Sequence, residues 1–65
     1  MTDLEKSRDQ LSQLAGAGID GVWSGDLIDK TSTRWLVENG YASNTGGPPS
    51  SLKRVRITPK GRAAL

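Results

Sequence analysis

The sequence has no cysteine, no histidine and no phenylalanine among its 65 residues. Without thiols a disulfide is excluded, and without thiol or imidazole a structural zinc site loses its usual ligands. The same absences remove the ordinary bases and nucleophiles of catalysis at neutral pH. Ser24, Ser32 and the Ser50–Ser51 pair have no evident activating partner, and Asp26 with Asp29 suits a helix N-terminus better than a Mg²⁺ site. No enzymatic activity, metal or cofactor is expected. Long apolar runs are missing too, since none approaches the ~20 residues that span a bilayer. Met1-Thr2-Asp3-Leu4-Glu5 lacks the basic-then-apolar pattern of a secretory signal. The expectation is a cytoplasmic, soluble module with no membrane contact. With 34% apolar residues, a chain this short hides only about 60% of its unfolded surface, so stability should be modest.

Acidic residues are absent from the second half. All seven (Asp3, Glu5, Asp9, Asp20, Asp26, Asp29, Glu38) lie at or before position 38 and outweigh Lys6, Arg8, Lys30 and Arg34 there, net −3. Residues 39–65 hold Lys53, Arg54, Arg56, Lys60 and Arg62 without an acid, net +5. Such asymmetry fits a polyanion-binding surface or, more plainly, a solvated edge.

Thr2 with Glu5 reads as a capping box, and Leu4, Leu11, Leu14 and Ala15 share one face of a helix expected over 2–16. Ser7 is the gap in that stripe, and Gly16 or Gly18 supplies the stop. Gly-Ala-Gly-Ile-Asp-Gly at 16–21 spells G-x-G-x-x-G. A helix precedes it, however, and Tyr41 stands where a ribose-binding acid belongs, so it is a turn rather than a nucleotide loop. A second helix, or a pair interrupted near Lys30 or Thr31, is expected over 25–39, with Gly40 ending it. Ile28, Trp35 and Leu36 mark its inner side. Strands follow at 41–43 and 52–57, joined by a flexible loop over 44–51. Thr58-Pro59 then opens a helical turn over 58–65, with Thr as cap and Pro at the first helical position. Trp23 and Trp35 are expected in the core, because a domain without Phe needs its large rings inside.

Leu36-Val37-Glu38-Asn39-Gly40-Tyr41, a basic strand, and Ile57-Thr58-Pro59-Lys60-Gly61-Arg62-Ala63-Ala64-Leu65 together resemble a winged helix-turn-helix domain. The resemblance is nearest to the MarR- and PadR-type repressors and covers roughly residues 27–65. The implied fold is α+β: an N-terminal helix, a shortened helix-turn-helix, a two-stranded β wing and a C-terminal helical turn, in one domain over 1–65. Leu27 to Gly40 is too short for the family's pair of helices, so the first is curtailed or fused with the second, at about the size of the excisionase-type phage proteins. The dimerisation helix of the repressors has no counterpart after Leu65, which makes a monomer or weak dimer the expectation.

That resemblance implies binding of double-stranded DNA by a small phage-type or accessory transcriptional or architectural regulator. Lys30, Thr33 and Arg34 would face the major groove, where Arg bonds two guanine acceptors at once. Lys53, Arg54 and Arg56 would line the wing, with Lys60 and Arg62 extending the track. Arg54 and Arg56 share a strand face about 6.6 Å apart, which suits successive phosphates. Plainer readings stand beside these. Asp26, Lys30, Arg34 and Glu38 form an i, i+4 row that partly satisfies itself, and the wing arginines could serve only to block edge-to-edge aggregation. The alternative function is a winged-fold protein-interaction module, an inhibitor or adaptor, presenting the same basic face to a protein partner. Either function expects Lys30/Arg34 and Arg54/Arg56 to form one continuous positive surface.

Overall fold

A computed structural model of the chain describes residues 3–45, 47 and 51–65. Thr2 of the expected capping box lies outside the described residues, as do Gly46, Pro48, Pro49 and Ser50 of the expected loop. The chain forms α1 (Asp3–Lys6), α2 (Arg8–Ala17), β1 (Val22–Trp23), α3 (Lys30–Glu38), β2 (Ala42–Thr45), β3 (Arg54–Ile57) and α4 (Pro59–Ala63). Short 3₁₀ turns occupy Gly18–Asp20 and Ser24–Asp26. No helix among the described residues is long and apolar enough to cross a membrane.

The first helix is broken at the gap in its apolar stripe. Ser7 is a buried turn residue between α1 and α2. Its N–H reaches back to the Asp3 carbonyl at 3.0 Å, and its carbonyl accepts from Leu11 N–H at 2.9 Å, so the break loses little backbone bonding. Of the two glycines expected to stop the helix, Gly18 is the cap, with φ +67°.

The sheet has three strands rather than the expected two, antiparallel in the order β1-β3-β2. Val22 pairs with Val55, and Trp23 with Arg54. On the other side Ala42, Ser43, Asn44 and Thr45 pair with Ile57, Arg56, Val55 and Arg54. Strand alternation puts Val22, Ala42 and Val55 on one face, where they join Leu11 and Leu14 of α2 and Leu36 of α3 in the core. Each fully buried leucine contributes about 1.5–3 kcal/mol. Asn44 ties the hairpin base together, donating to the carbonyls of Gly47 and Ser51 and accepting the Lys53 N–H at 2.8 Å.

The 25–39 segment is neither one helix nor a pair of α-helices. The 3₁₀ turn is followed by extended chain, and α3 starts at Lys30 with Asp29 as its cap. Asp29 Oδ1 accepts from Ser32 N–H at 3.1 Å, and Oδ2 from the Ser32 hydroxyl at 3.0 Å. Ile28, expected inside, is 61% exposed because it belongs to this irregular stretch, while Leu27 packs against the core instead. The backbone of residues 26–29 is bonded to α2. Gln13 donates to the Asp26 carbonyl at 2.7 Å and accepts Ile28 N–H at 3.2 Å. Gln10, almost fully buried, accepts Asp29 N–H at 2.8 Å and donates to Gln13 at 2.8 Å.

At its far end α3 closes in a Schellman arrangement: Tyr41 N–H bonds to the Leu36 carbonyl and Gly40 N–H to that of Val37, with Gly40 at φ +82°. The cap of α4 fastens onto the same turn. Thr58 accepts from Gly61 N–H at 3.1 Å and donates to the Gly40 carbonyl at 2.6 Å. A Cβ on Gly61 would collide with the Tyr41 carbonyl and the Ile57 side chain, so α4 can lie this close only with glycine there.

These contacts set the outcome of substitutions read by chemical or thermal denaturation. Gly61→Ala costs at least about 1–3 kcal/mol through overpacking, whereas Gly16→Ala, whose new methyl meets nothing within 4 Å, gains about 0.5–1 kcal/mol. Gln10→Ala leaves the Asp29 N–H without its partner and loses about 1–3 kcal/mol. Asp29 carries a pKa lowered from 3.8, chiefly by the Ser32 backbone N–H and then by the Ser32 hydroxyl. A depressed carboxylate stabilises the fold above its unfolded pKa and loses that contribution as pH falls through the folded value. Asp29→Ala therefore lowers the melting temperature at pH 7 and does so less below pH 3.8, while Asp29→Asn, still a good cap, retains most of the stability.

Candidate functional site

The cationic side chains singled out in the sequence emerge on two different layers. Lys30 and Arg34 are exposed on α3, one turn apart. Thr33, expected beside them, is fully buried, and its hydroxyl donates to the Asp29 carbonyl at 2.8 Å. It packs on the same face as Leu36, three residues on, and has no path to a groove. Trp35 is half-buried and stacks on Tyr41, with ring centroids 5.6 Å apart and planes at 13°.

Lys60 is engaged at the C-terminal end of α3. Its ammonium sits 4.6 Å from the Tyr41 ring centroid and donates to the Asn39 carbonyl at 2.9 Å. A cation there complements the negative end of the helix dipole. Lys53 is exposed at the foot of β3, on the hairpin side.

Arg54 and Arg56 flank buried Val55 and are exposed, so they leave the sheet on the face turned away from α2 and α3. The expected continuous surface with Lys30 and Arg34 is not what the fold builds. The cations of α3 and of β3 belong to separate layers with the core between them.

The arginines are joined instead by groups the sequence reading left out or placed elsewhere. Trp23, expected in the core, is 50% exposed. It follows Val22 in β1, so once Val22 faces inward Trp23 must face outward, directly opposite Arg54. The Arg54 guanidinium lies over the indole at 5.9 Å and donates to the Asp20 carbonyl at 3.2 Å. Together with Ile19, Thr45 and Arg56 they line a shallow depression of about 680 Å³. A second one, of about 340 Å³, continues past Ile19, Ser43 and Arg56 to Arg62 of α4. Ile19 is 85% exposed between the two. The signal that could have exposed Trp23 is cross-strand: a Val-Trp pair alternates only if a third strand exists, and nothing local announces it.

Among the described residues no cluster of three or more carboxylate, imidazole or thiol groups is placed to hold a metal ion. What the outward sheet face can do chemically is pair anions with guanidinium groups and offer a flat aromatic ring. What α3 offers is two cations at helical spacing on an exposed flank.

No known family's sequence profile matches the chain, and no curated protein or solved structure matches it either.

Proposed function

We propose that the chain is a reduced winged-helix module that binds duplex DNA through α3, with the β2–β3 hairpin against the flanking backbone. The observation that supports this reading is the order of parts. A short strand lies between the first helices and α3, α3 runs straight into β2, and the early strand joins the sheet beside the last one in the order β1-β3-β2. The helices, the α3-to-β2 step, the hairpin and the capped turn of α4 keep the order implied for a winged helix-turn-helix, with β1 as a third strand beside the implied pair. The 3₁₀ turn and extended residues at 24–29 stand where its first recognition-unit helix would be.

In that arrangement Arg34 reaches base edges or phosphates, Lys30 serves the backbone, and Lys53 adds a phosphate contact at the foot of the hairpin. Arg54 and Arg56, on the other face of the sheet, contribute only to the general positive field.

A labelled duplex titrated with the protein over a range of salt tests this. Binding should weaken linearly on a log–log plot, by about 0.9 for each phosphate neutralised. Lys30→Ala/Arg34→Ala should cost at least about ten-fold in affinity and flatten the slope by between 1 and 2. Arg54→Ala/Arg56→Ala should cost less than that pair does. Absence of duplex binding at low salt, or full binding by Lys30→Ala/Arg34→Ala, overturns the reading.

A further inference from the structure

We propose that the outward face of the sheet is a second binding surface, for single-stranded nucleic acid, built on Trp23, Arg54, Arg56 and Arg62. It goes beyond the duplex reading, gives Arg54 and Arg56 direct contacts that they lack there, and stands or falls separately.

A half-exposed tryptophan and an almost fully exposed isoleucine sit on one surface of a small protein whose other large side chains mostly find the core. Beside them stand three arginines, and the second half of the chain that supplies these contains no acid. Asp20 is the acidic residue lining the depression, and its backbone carbonyl orients Arg54. The occupant that complements this face is therefore anionic and carries flat apolar groups. Nucleic acid has both, as phosphates and bases.

The flatness of the ring decides between duplex and single strand. Inside a duplex every base face is covered by its neighbours, so an exposed indole finds no partner. An unpaired strand offers base faces to stack on, with little regard to sequence. Arg54 holds one side of the indole and keeps its plane defined, which leaves a stacking platform rather than a loose side chain. Arg54 and Arg56 are two residues apart on β3, about 6.6 Å by strand rise, commensurate with neighbouring phosphates of an extended backbone. Arg62, across the adjoining depression from Ile19, prolongs the line. Ser43, opposite Arg56 across the strand pair, supplies a hydroxyl that can bond sugar or base edges. That of Thr45, opposite Arg54, donates to the Arg54 carbonyl at 2.9 Å and is left only as an acceptor. None of these contacts distinguishes deoxyribose from ribose, so DNA and RNA strands are both admissible sources of this chemistry.

The test uses the full chain and short labelled oligomers, (dT)8 and (U)8, followed by anisotropy at low salt and by tryptophan fluorescence. At least one oligomer should bind and quench the emission; equal binding of both marks a backbone-and-stacking site, and a preference identifies the sugar. Trp23→Leu should weaken binding at least about 5-fold, the lower end of what losing a base–aromatic stack does. Trp23→Phe should keep most of the affinity while losing most of the quench. Arg54→Gln/Arg56→Gln should lower the salt slope by about 0.7 for each phosphate released. Lys30→Ala/Arg34→Ala should bind the oligomers as the parent does, which separates this outcome from the duplex one. Melting curves of each variant should match that of the parent, which separates lost binding from lost fold. The proposal is overturned if neither oligomer binds, if Trp23→Leu binds like the parent, if duplex of the same length displaces the oligomer at equal concentration, or if poly-aspartate competes as well as the oligomer, which would point to an acidic protein.

Discussion

Two glutamines on α2 hold the rest of the molecule in place. The irregular chain between the early strand and α3 leaves backbone groups at Asp26, Ile28 and Asp29 that side chains of α2 satisfy, the Asp29 contact in partly buried surroundings where an unpaired amide is costly. Gln10 and Gln13 supply the missing partners for Asp26, Ile28 and Asp29. Gln10 is itself 1% exposed and bonded at both ends of its amide, so the network is closed rather than half-satisfied. Because Asp29 is both bonded to Gln10 and the cap of α3, the start of that helix is fixed against α2 to within a hydrogen bond.

From that anchored start the remaining geometry runs in sequence. Thr33 and Leu36 point into the core; Lys30 and Arg34 are left on the exposed flank. The Gly40 turn feeds β2, and its carbonyl accepts the Thr58 hydroxyl that begins α4. Trp35, Tyr41 and Lys60 stack along this seam, so α3 and α4 are tied at one end while α2 holds the other. The Arg54 and Arg56 face takes no part in this bracing, which frees it to carry groups that a purely structural surface would not expose.

What was legible in the sequence was local chemistry. Gly18, Gly40, Thr58 and Pro59 act at the positions where their intrinsic preferences are strongest, because a cap is decided by a few neighbouring residues. The basic alternation of Arg54-Val55-Arg56 was also readable, since one face of a half-buried strand writes itself with period two. Features set by distant partners were not. Val22-Trp23 is too short for any periodicity, and its strand exists only because β3 runs beside it. Placing Ile28 inside continues a helical phase backwards through Asp29, where no helix runs. The groove-facing place of Thr33 comes from the resemblance, whereas its spacing to Leu36 sets it on the buried face of α3. The supposed joint surface of Lys30, Arg34, Arg54 and Arg56 failed for the same reason: charge in sequence says nothing about which side of a core it lands on.

The central strand of the sheet is also the last one encoded. Val55 sits at 0% exposure among side chains contributed by α2, α3 and both neighbouring strands. During synthesis the earlier helices therefore leave the ribosome with their apolar faces uncovered. They can gain cooperative packing only once residues 54–57 have emerged, so closure of the interior is a late, long-range event that must pay its loop-closure entropy all at once.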